Sequence, residues 1–401
     1  MPDYECYGMC SNAWGTYING SLRRLITTGE EAPIRRRNGE TSLHRRHGSM
    51  DAGGVMSLIM TAIEPRSREE GVEDPRRAFA RLAEPLRREL KVHCYRMLGS
   101  VHEAEDLVQE TYLRAWRSFD SFEPGTSIRA WLYRIATNAC LNALASRKSA
   151  HRLLPDQMRD AAGHMPPGAP AGDVAWLEPL PDSNLTGIAD EAPNPEARYT
   201  SQESVQLAFV AAIQQLPPRQ RAVLLLCDVL GWAAAEAATL VGISTAAINS
   251  ALQRARETLD KRYPQGRPPT RPQADRAQQE LISRYLKAWE GHDLDGFVAL
   301  LKEDAAVVMP PSLEWYAGRD AIRSFFAMAW TTCNGLRLVR TAANGQPALA
   351  VYEFSDSARV WAAHSIHVLT LEQDAIATMT LFLEPRLFEE FGLPMQLPAD
   401  E

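Results

Sequence analysis

The chain has 401 residues, 45% of them hydrophobic, with 26 prolines, 24 glycines and a formal net charge of −7. That length calls for two or three domains. No apolar run reaches the roughly 18 residues of a membrane span, and "VMSLIMTAI" starts too far into the chain for a secretory signal, so a soluble, cytoplasmic protein with no membrane partner is expected.

The six cysteines, Cys6, Cys10, Cys94, Cys140, Cys227 and Cys333, have no paired CxxC spacing, which argues against zinc and against a disulfide framework. Charge is distributed in blocks. Counting Lys and Arg against Asp and Glu, residues 76–152 carry +6 and 205–271 carry +4, against −2 for 1–75, −7 for 153–204 and −8 for 272–401. A basic block can neutralise phosphates whatever the total charge of the chain.

In chain order, residues 1–75 read as a disordered extension in which "IRRRNGETSLHRRHGSM" is a basic arm, with alternative starts at Met50 or Met56. Residues 76–152 are helical. "FARLAEPLRRELKVHCYRMLG" stops on Gly99, "HEAEDLVQETYLRAWRSF" follows at helical spacing, and Ser127 caps "IRAWLYRIATNACLNALASRK". Residues 153–204 form a Pro-, Gly- and Asp-rich linker in which Trp176 and Leu177 are either docked or an exposed pair in a tether. Helices return over 205–263, and a second linker covers 264–274. Residues 275–395 begin with helices "QQELISRYLKAWEG", "LDGFVALLKED" and "GRDAIRSFFAMAW". Strands then follow, with Asn344-Gly345 as a hairpin signal, giving an α+β domain.

"GISTAAINSALQRAR" raises the sharpest question. On a helix from Thr245, the residues Ile248, Leu252, Ala255 and Leu259 form one apolar stripe, Gly242 supplies a turn and Ser244 a cap. The opposite face shows Ser244, Thr245, Asn249, Ser250, Gln253 and Arg254, with Arg256 placed for phosphate. Asn and Gln pair with adenine and Arg with guanine, so this face suits the DNA major groove; a helical hairpin with a solvated face has the same periodicity.

"LPPRQRAVLLLCDVLGWAAAEAATLVGISTAAINSALQRARETL" resembles region 4 of bacterial sigma-70-type factors, which reads the −35 promoter element. "EAEDLVQETYLRAWRSFDSFEPGTSIRAWLYRIATNACLNALASRK" resembles region 2, which holds core RNA polymerase and melts the −10 element. The two blocks in this order, with nothing like region 3 between them, resemble an extracytoplasmic-function (group 4) sigma factor. The resemblance implies a multidomain fold with two all-α sigma domains, and core RNA polymerase and promoter DNA as partners. It places Asp106, Gln109 and Glu110 against the polymerase, and Arg134, Asn138 and Asn142 on the −10 strand with Arg147 and Lys148 on phosphates. Trp131 and Tyr133 are either melting aromatics or core, and Glu123 and Thr126 sit in the loop before that helix. Where many relatives carry Lys in region 4, this chain has Asn249, which shifts weight from phosphate contacts to base readout.

"YLKAWEGHDLDGFVALLKEDAAVVMPP" and "YAGRDAIRSFFAMAW" resemble the SnoaL-like branch of the NTF2-like superfamily, three helices against a curved sheet in a cone. That implies a pocket, for which Trp315, Tyr316, His364 and His367 are candidates, and a built-in regulator acting in cis. An anti-sigma factor or a small-molecule ligand stays open as a further partner, and no catalytic residue, metal or cofactor is assigned. Two other readings remain: a DNA-binding regulator working without polymerase, and a sigma factor fused to an enzymatic or sensing cone.

Overall fold

In the computed structural model the chain divides into two units, Met1–Ala80 and Arg81–Glu401. The structure describes residues 75–122, 127–147, 151–163, 171–172, 174–186, 203–262, 276–331, 333 and 335–399. The expected arm before Pro75 and the expected linker 264–274 lie outside the described residues. Of the first unit, residues 75–80 begin a helix over Pro75–Ala83.

In the second unit, helices α1 (Arg87–Leu98), α2 (Val101–Arg117) and α3 (Ile128–Ala145) form one bundle. The single helix expected from Phe79 to Gly99 is broken by a 3₁₀ turn at Glu84–Leu86, because Pro85 has no N–H to donate. Gly99 ends α1 at φ +70°, and a Cβ there would lie 2.9 Å from Leu177 Cδ1, so the position needs glycine for both backbone and space. The Ser100 hydroxyl accepts from Glu103 N at 3.2 Å at the start of α2, and Ser127 caps α3 by accepting from Ala130 N at 3.2 Å.

The next bundle contains α4 (Leu207–Gln214), α5 (Pro218–Leu224, continued by a π turn over Leu225–Val229), α6 (Ala234–Val241) and α7 (Thr245–Arg262). Ile248, Leu252, Ala255 and Leu259 are buried as one stripe, Gly242 turns at φ 74°, and Ser244 Oγ accepts from Ala247 N at 3.2 Å.

The two bundles pack directly on each other. Arg221, fully buried, donates to Met97 O and Ile213 O and, at 2.6 Å, to both Gln214 Oε1 and Gln214 O. Gln214 Nε2 donates to Arg96 O at 2.9 Å. A guanidinium and an amide thus satisfy carbonyls at the C-terminal end of α1, the negative end of its dipole. Burial lowers the Arg221 pKa to about 9, leaving it charged at neutral pH. Tyr133 of α3 stacks obliquely on Trp232, just before α6, at 5.4 Å.

The third part contains α8 (Arg276–Glu290), α9 (Leu294–Val298), α10 (Arg319–Ala329) and a short α11 (Leu387–Glu390). Its strands are β1 (Leu301–Val308), β2 (Trp315–Ala317), β3 (Leu336–Ala343), β4 (Gln346–Ser355), β5 (Val360–Glu372), β6 (Ala375–Phe382) and β7 (Gln396–Pro398). The sheet runs β2-β1-β6-β5-β4-β3, with β7 on β5 and only the β1–β6 pair parallel. The helix expected over 294–304 stops at Val298, because Ala305 and Val307 bury as alternate residues of β1 against β6. Tyr285, Trp289, Phe297, Phe326, Leu349 and Leu369 fill the inside of the cone. Asn344 (φ 58°) and Gly345 (φ 66°) make the expected hairpin between β3 and β4.

The segment 153–204 is no free tether where it is described. Leu153 bridges Trp176, Leu177 and Leu180 are buried, and Pro181 bridges Ala343 of the hairpin. Ala162 N donates to Trp315 O, and Ala171 N to Pro311 O. Its apolar residues and free backbone groups find partners on both the first bundle and the sheet, which composition alone does not reveal. Among the described residues no helix is long and apolar enough to cross a membrane, and no group of acidic, His and Cys side chains could hold a metal ion.

Candidate nucleic-acid interface

On α7 the side chains of Ser244, Thr245, Asn249, Ser250, Gln253 and Arg254 are all exposed on one face. Burial of the opposite stripe puts them there, since successive residues turn by about 100° along a helix. Arg254 donates to Ser250 Oγ at 2.8 Å and Gln253 to Glu257 Oε1 at 2.9 Å, exposed contacts that a base edge can replace. Glu257 and Asp260 border the same groove. Their charge repels phosphates, so the N-terminal half of α7 is the half suited to DNA. Arg256 lines this groove too, with a second attachment. It is paired with Asp228, its Nε 2.9 Å from Oδ2, and Asp228 is only 4% exposed, so Arg256 neutralises a buried carboxylate.

On α3, Arg134, Asn138 and Asn142 recur every four residues as an exposed stripe. Arg147 lies off it, bonded to Glu103 Oε2 at 2.5 Å. Lys148, Glu123 and Thr126 lie outside the described residues. Tyr133 is core, fully buried and 5.0 Å from His93. Burial lowers the His93 pKa to about 3, with Arg96 and Arg129 adding to the effect. Trp131 is half-buried, its ring 5.2 Å from Phe122, which continues through Phe119 to Trp116 as a ladder of rings.

On α2, Asp106 is exposed, while Gln109 and Glu110 are half-buried. Partial loss of solvent around its carboxylate, with Glu105 and Glu103 nearby, raises the Asp106 pKa although the residue as a whole is exposed. Glu110 bonds Arg114 at 2.6 Å. Glu105 takes Arg87 at 2.7 Å and Lys91 at 3.1 Å, and Lys91 also reaches Glu390 of α11 at 3.5 Å. The C-terminal domain therefore lies beside the acidic helix.

The start of α2 is held from the connector. The Glu178 carboxylate accepts from Ser100 Oγ at 2.8 Å and Val101 N at 2.9 Å, and lies 3.0 Å from His102 Nδ1. Burial alone would raise the Glu178 pKa, but His102, Arg152 and Ser100 together hold it below the ordinary value. The residues the sequence reading missed are Glu178, Tyr95, Arg221 and the side chain of Asn344. The Asn-Gly pair marked the turn but not what its amide binds.

In the cone, the pocket candidates separate. His367 Nδ1 lies 3.0 Å from Tyr285 Oη, its Nε2 lies 3.0 Å from Ser365 Oγ, and that hydroxyl lies 3.0 Å from His364 Nδ1. Burial lowers both histidine pKa values, so both rings are neutral near pH 7. Tyr316 is fully buried and stacks on Phe325 at 4.5 Å. Trp315 Nε1 donates to Arg159 O at 2.8 Å, which assigns it to the connector seam.

Family models match three stretches: Sigma-70 region 2 over residues 82–150, Sigma-70 region 4 over 206–259, and a SnoaL-like domain over 282–379. The chain is 42% identical over 352 residues to the ECF RNA polymerase sigma factor SigG of Mycobacterium tuberculosis, covering 85% of this chain and 90% of that one. It is 32% identical to the ECF RNA polymerase sigma factor SigJ of the same organism over 223 residues, 55% of this chain and 61% of that one. The crystal structure of M. tuberculosis SigJ has the same fold, with a TM-score of 0.51 at 23% identity over 78% of this chain and 98% of that one.

Proposed function

The chain belongs to the extracytoplasmic-function RNA polymerase sigma factors, and from that premise we propose how its parts divide the work of bringing core RNA polymerase to promoter DNA. Asn249, Ser250, Gln253 and Arg254, with Ser244 and Thr245, read the −35 element. Arg134, Asn138 and Asn142 hold the −10 strand. Asp106, Gln109 and Glu110 meet the polymerase. Exposure of the α3 and α7 sets as single stripes supports this division, as does the exposed Asp106 with half-buried Gln109 and Glu110 beside it on α2.

The SnoaL-like domain regulates this activity in cis, by holding the sigma bundles in a closed form. The observation that carries this reading is the direct packing of the bundles, with the hairpin tip of the sheet seated where they meet. Elements named for positions −10 and −35 lie roughly 85 Å apart along B-DNA. An 18-residue α7 is about 27 Å long. Two bundles in direct contact cannot cover that span, so the closed form has to open on a promoter. A variant ending at residue 271 should bind core polymerase about ten-fold tighter than the full chain and give more run-off transcript. Unchanged affinity together with unchanged transcription would refute regulation in cis.

A second reading of the cone, a small-molecule site, is favoured by the bonded series Tyr285, His367, Ser365 and His364. A thermal-shift screen of the full chain tests it.

A further inference from the structure

The tip of the β3–β4 hairpin meets three separate stretches of chain. Asn344 is fully buried, and its amide makes three hydrogen bonds. Its Oδ1 accepts from Leu180 N at 2.8 Å, and its Nδ2 donates to Val205 O at 2.7 Å and to Tyr95 Oη at 2.8 Å. The acceptor role of Oδ1 towards a backbone N–H fixes which amide atom is nitrogen. Tyr95, also fully buried, then donates its hydroxyl to Glu178 O at 2.8 Å. Glu178 N donates to Gly99 O at 3.0 Å, and its carboxylate caps the start of α2.

The bonds from Asn344 N–H to Tyr95 O–H to the Glu178 carbonyl share one direction; beyond them the Glu178 carboxylate accepts, in the opposite sense, from Ser100 Oγ and Val101 N. A hydroxyl that both accepts and donates along a chain is polarised by each neighbour and strengthens both bonds. The series begins in the C-terminal domain and ends at the first turn of the helix that carries Asp106, Gln109 and Glu110.

We propose that Tyr95 is a positioning residue that links the hairpin tip at Asn344, through Glu178, to the N-terminal turn of the polymerase-facing helix. The first turn of α2 is ordered when the hairpin is seated and loosens when it leaves. This rests on the assignment of α2 to the polymerase and supplies a route by which the C-terminal domain acts on it.

The test uses the full chain. Tyr95→Phe removes one hydroxyl and keeps the ring. Asn344→Gly keeps the left-handed turn and removes the amide. Amide hydrogen exchange is read at Val101, His102 and Glu103, with the thermal midpoint as a control for general loosening. Each single variant should speed exchange at these three amides about five-fold, while amides in the middle of α7 stay unchanged. Because both substitutions break the same series, the double variant should exchange no faster than either single one. Unchanged exchange at Val101 to Glu103, a change spread evenly over the chain, or effects that multiply in the double variant would each overturn the link.

Core-polymerase affinity of the same variants separates the two ideas. Faster exchange with unchanged affinity keeps the link and refutes the regulatory role of α2. A chain ended at residue 271 that binds tighter, while Asn344→Gly leaves exchange unchanged, refutes the link and keeps the regulation.

Discussion

The two recognition helices are held in opposite ways. α7 keeps its proposed reading face exposed, anchored by the stripe behind it and by the Arg256–Asp228 pair. α2 has its first turn capped by Glu178 and a neighbouring lysine shared with Glu390 of the C-terminal domain. Under the proposed regulation in cis, control falls on the polymerase side and on the spacing of the two bundles, and leaves the proposed DNA-reading surface uncovered. The C-terminal domain meets the helical bundles through a few buried polar groups at a seam, Asn344 among them.

The contrast can be broken first at Arg221. Arg221→Met takes the guanidinium away from Met97 O and Gln214 Oε1, while Ile213 O keeps Leu216 N and Gln214 O keeps His151 Nδ1. It should cost about 4 kcal/mol in denaturant unfolding, since each stranded buried group costs about 1–3 kcal/mol. A loss under about 1 kcal/mol would show that the bundles do not depend on it. Next in size is Arg256→Ala, which strands Asp228 and should cost about 2 kcal/mol of stability while leaving the salt dependence of −35 binding unchanged. If it instead lowers that salt slope by about one, Arg256 contacts phosphate after all.

Smaller again is Gln253→Ala, expected to lose about 1.5 kcal/mol of discrimination between −35 sequences with no change in stability. Binding of a full site set in gel shift or anisotropy would measure it, and uniform weakening across all sequences would make Gln253 a backbone contact.

The smallest effect is that of His102. It is faced by Glu178 from the connector and by Glu390 and Arg386 from the C-terminal domain. Burial lowers its pKa, but the Glu178 bond more than offsets this and leaves it raised. A raised histidine stabilises the seam below its unfolded value of 6.5 and loses that contribution as pH rises through its higher folded value. The side chain is 42% exposed, so the effect should stay under about 1 kcal/mol. Exchange at Val101 in wild type, corrected for intrinsic rates, should rise relative to His102→Gln as pH passes from 6 to 8, and parallel profiles would remove His102 from the seam.

Much of the fold is legible in local sequence. Gly99, Ser127, Gly242 and the stripe Ile248, Leu252, Ala255 and Leu259 follow from chemistry within one or two turns. The exposed stripes on α3 and α7 follow the same way, because a helix with one apolar side leaves the other to solvent. What stayed hidden depends on distant partners. Arg221 reads as one more basic residue of a DNA-binding block, yet it binds carbonyls of another bundle. Arg256 reads as a phosphate contact, and nothing local in the sequence announces its bond to Asp228. Glu178 lies in a stretch whose prolines and acidic residues read as a tether, and its role depends on the Gly99–Ser100 turn far back in the chain. "LLKED" carries a helical pattern that pairing with β6 overrides.

The most direct test places donor and acceptor dyes on exposed positions of the two bundles, Ala145→Cys on α3 and Asp260→Cys on α7, in a full chain otherwise free of reactive thiols. Distances are measured by single-molecule energy transfer, alone and with core RNA polymerase. A closed form that opens predicts a single short distance in the free chain and a clear lengthening on polymerase, with Asn344→Gly shifting part of the free population toward the longer distance. A distance unchanged by polymerase in a complex that still initiates from promoters would contradict it.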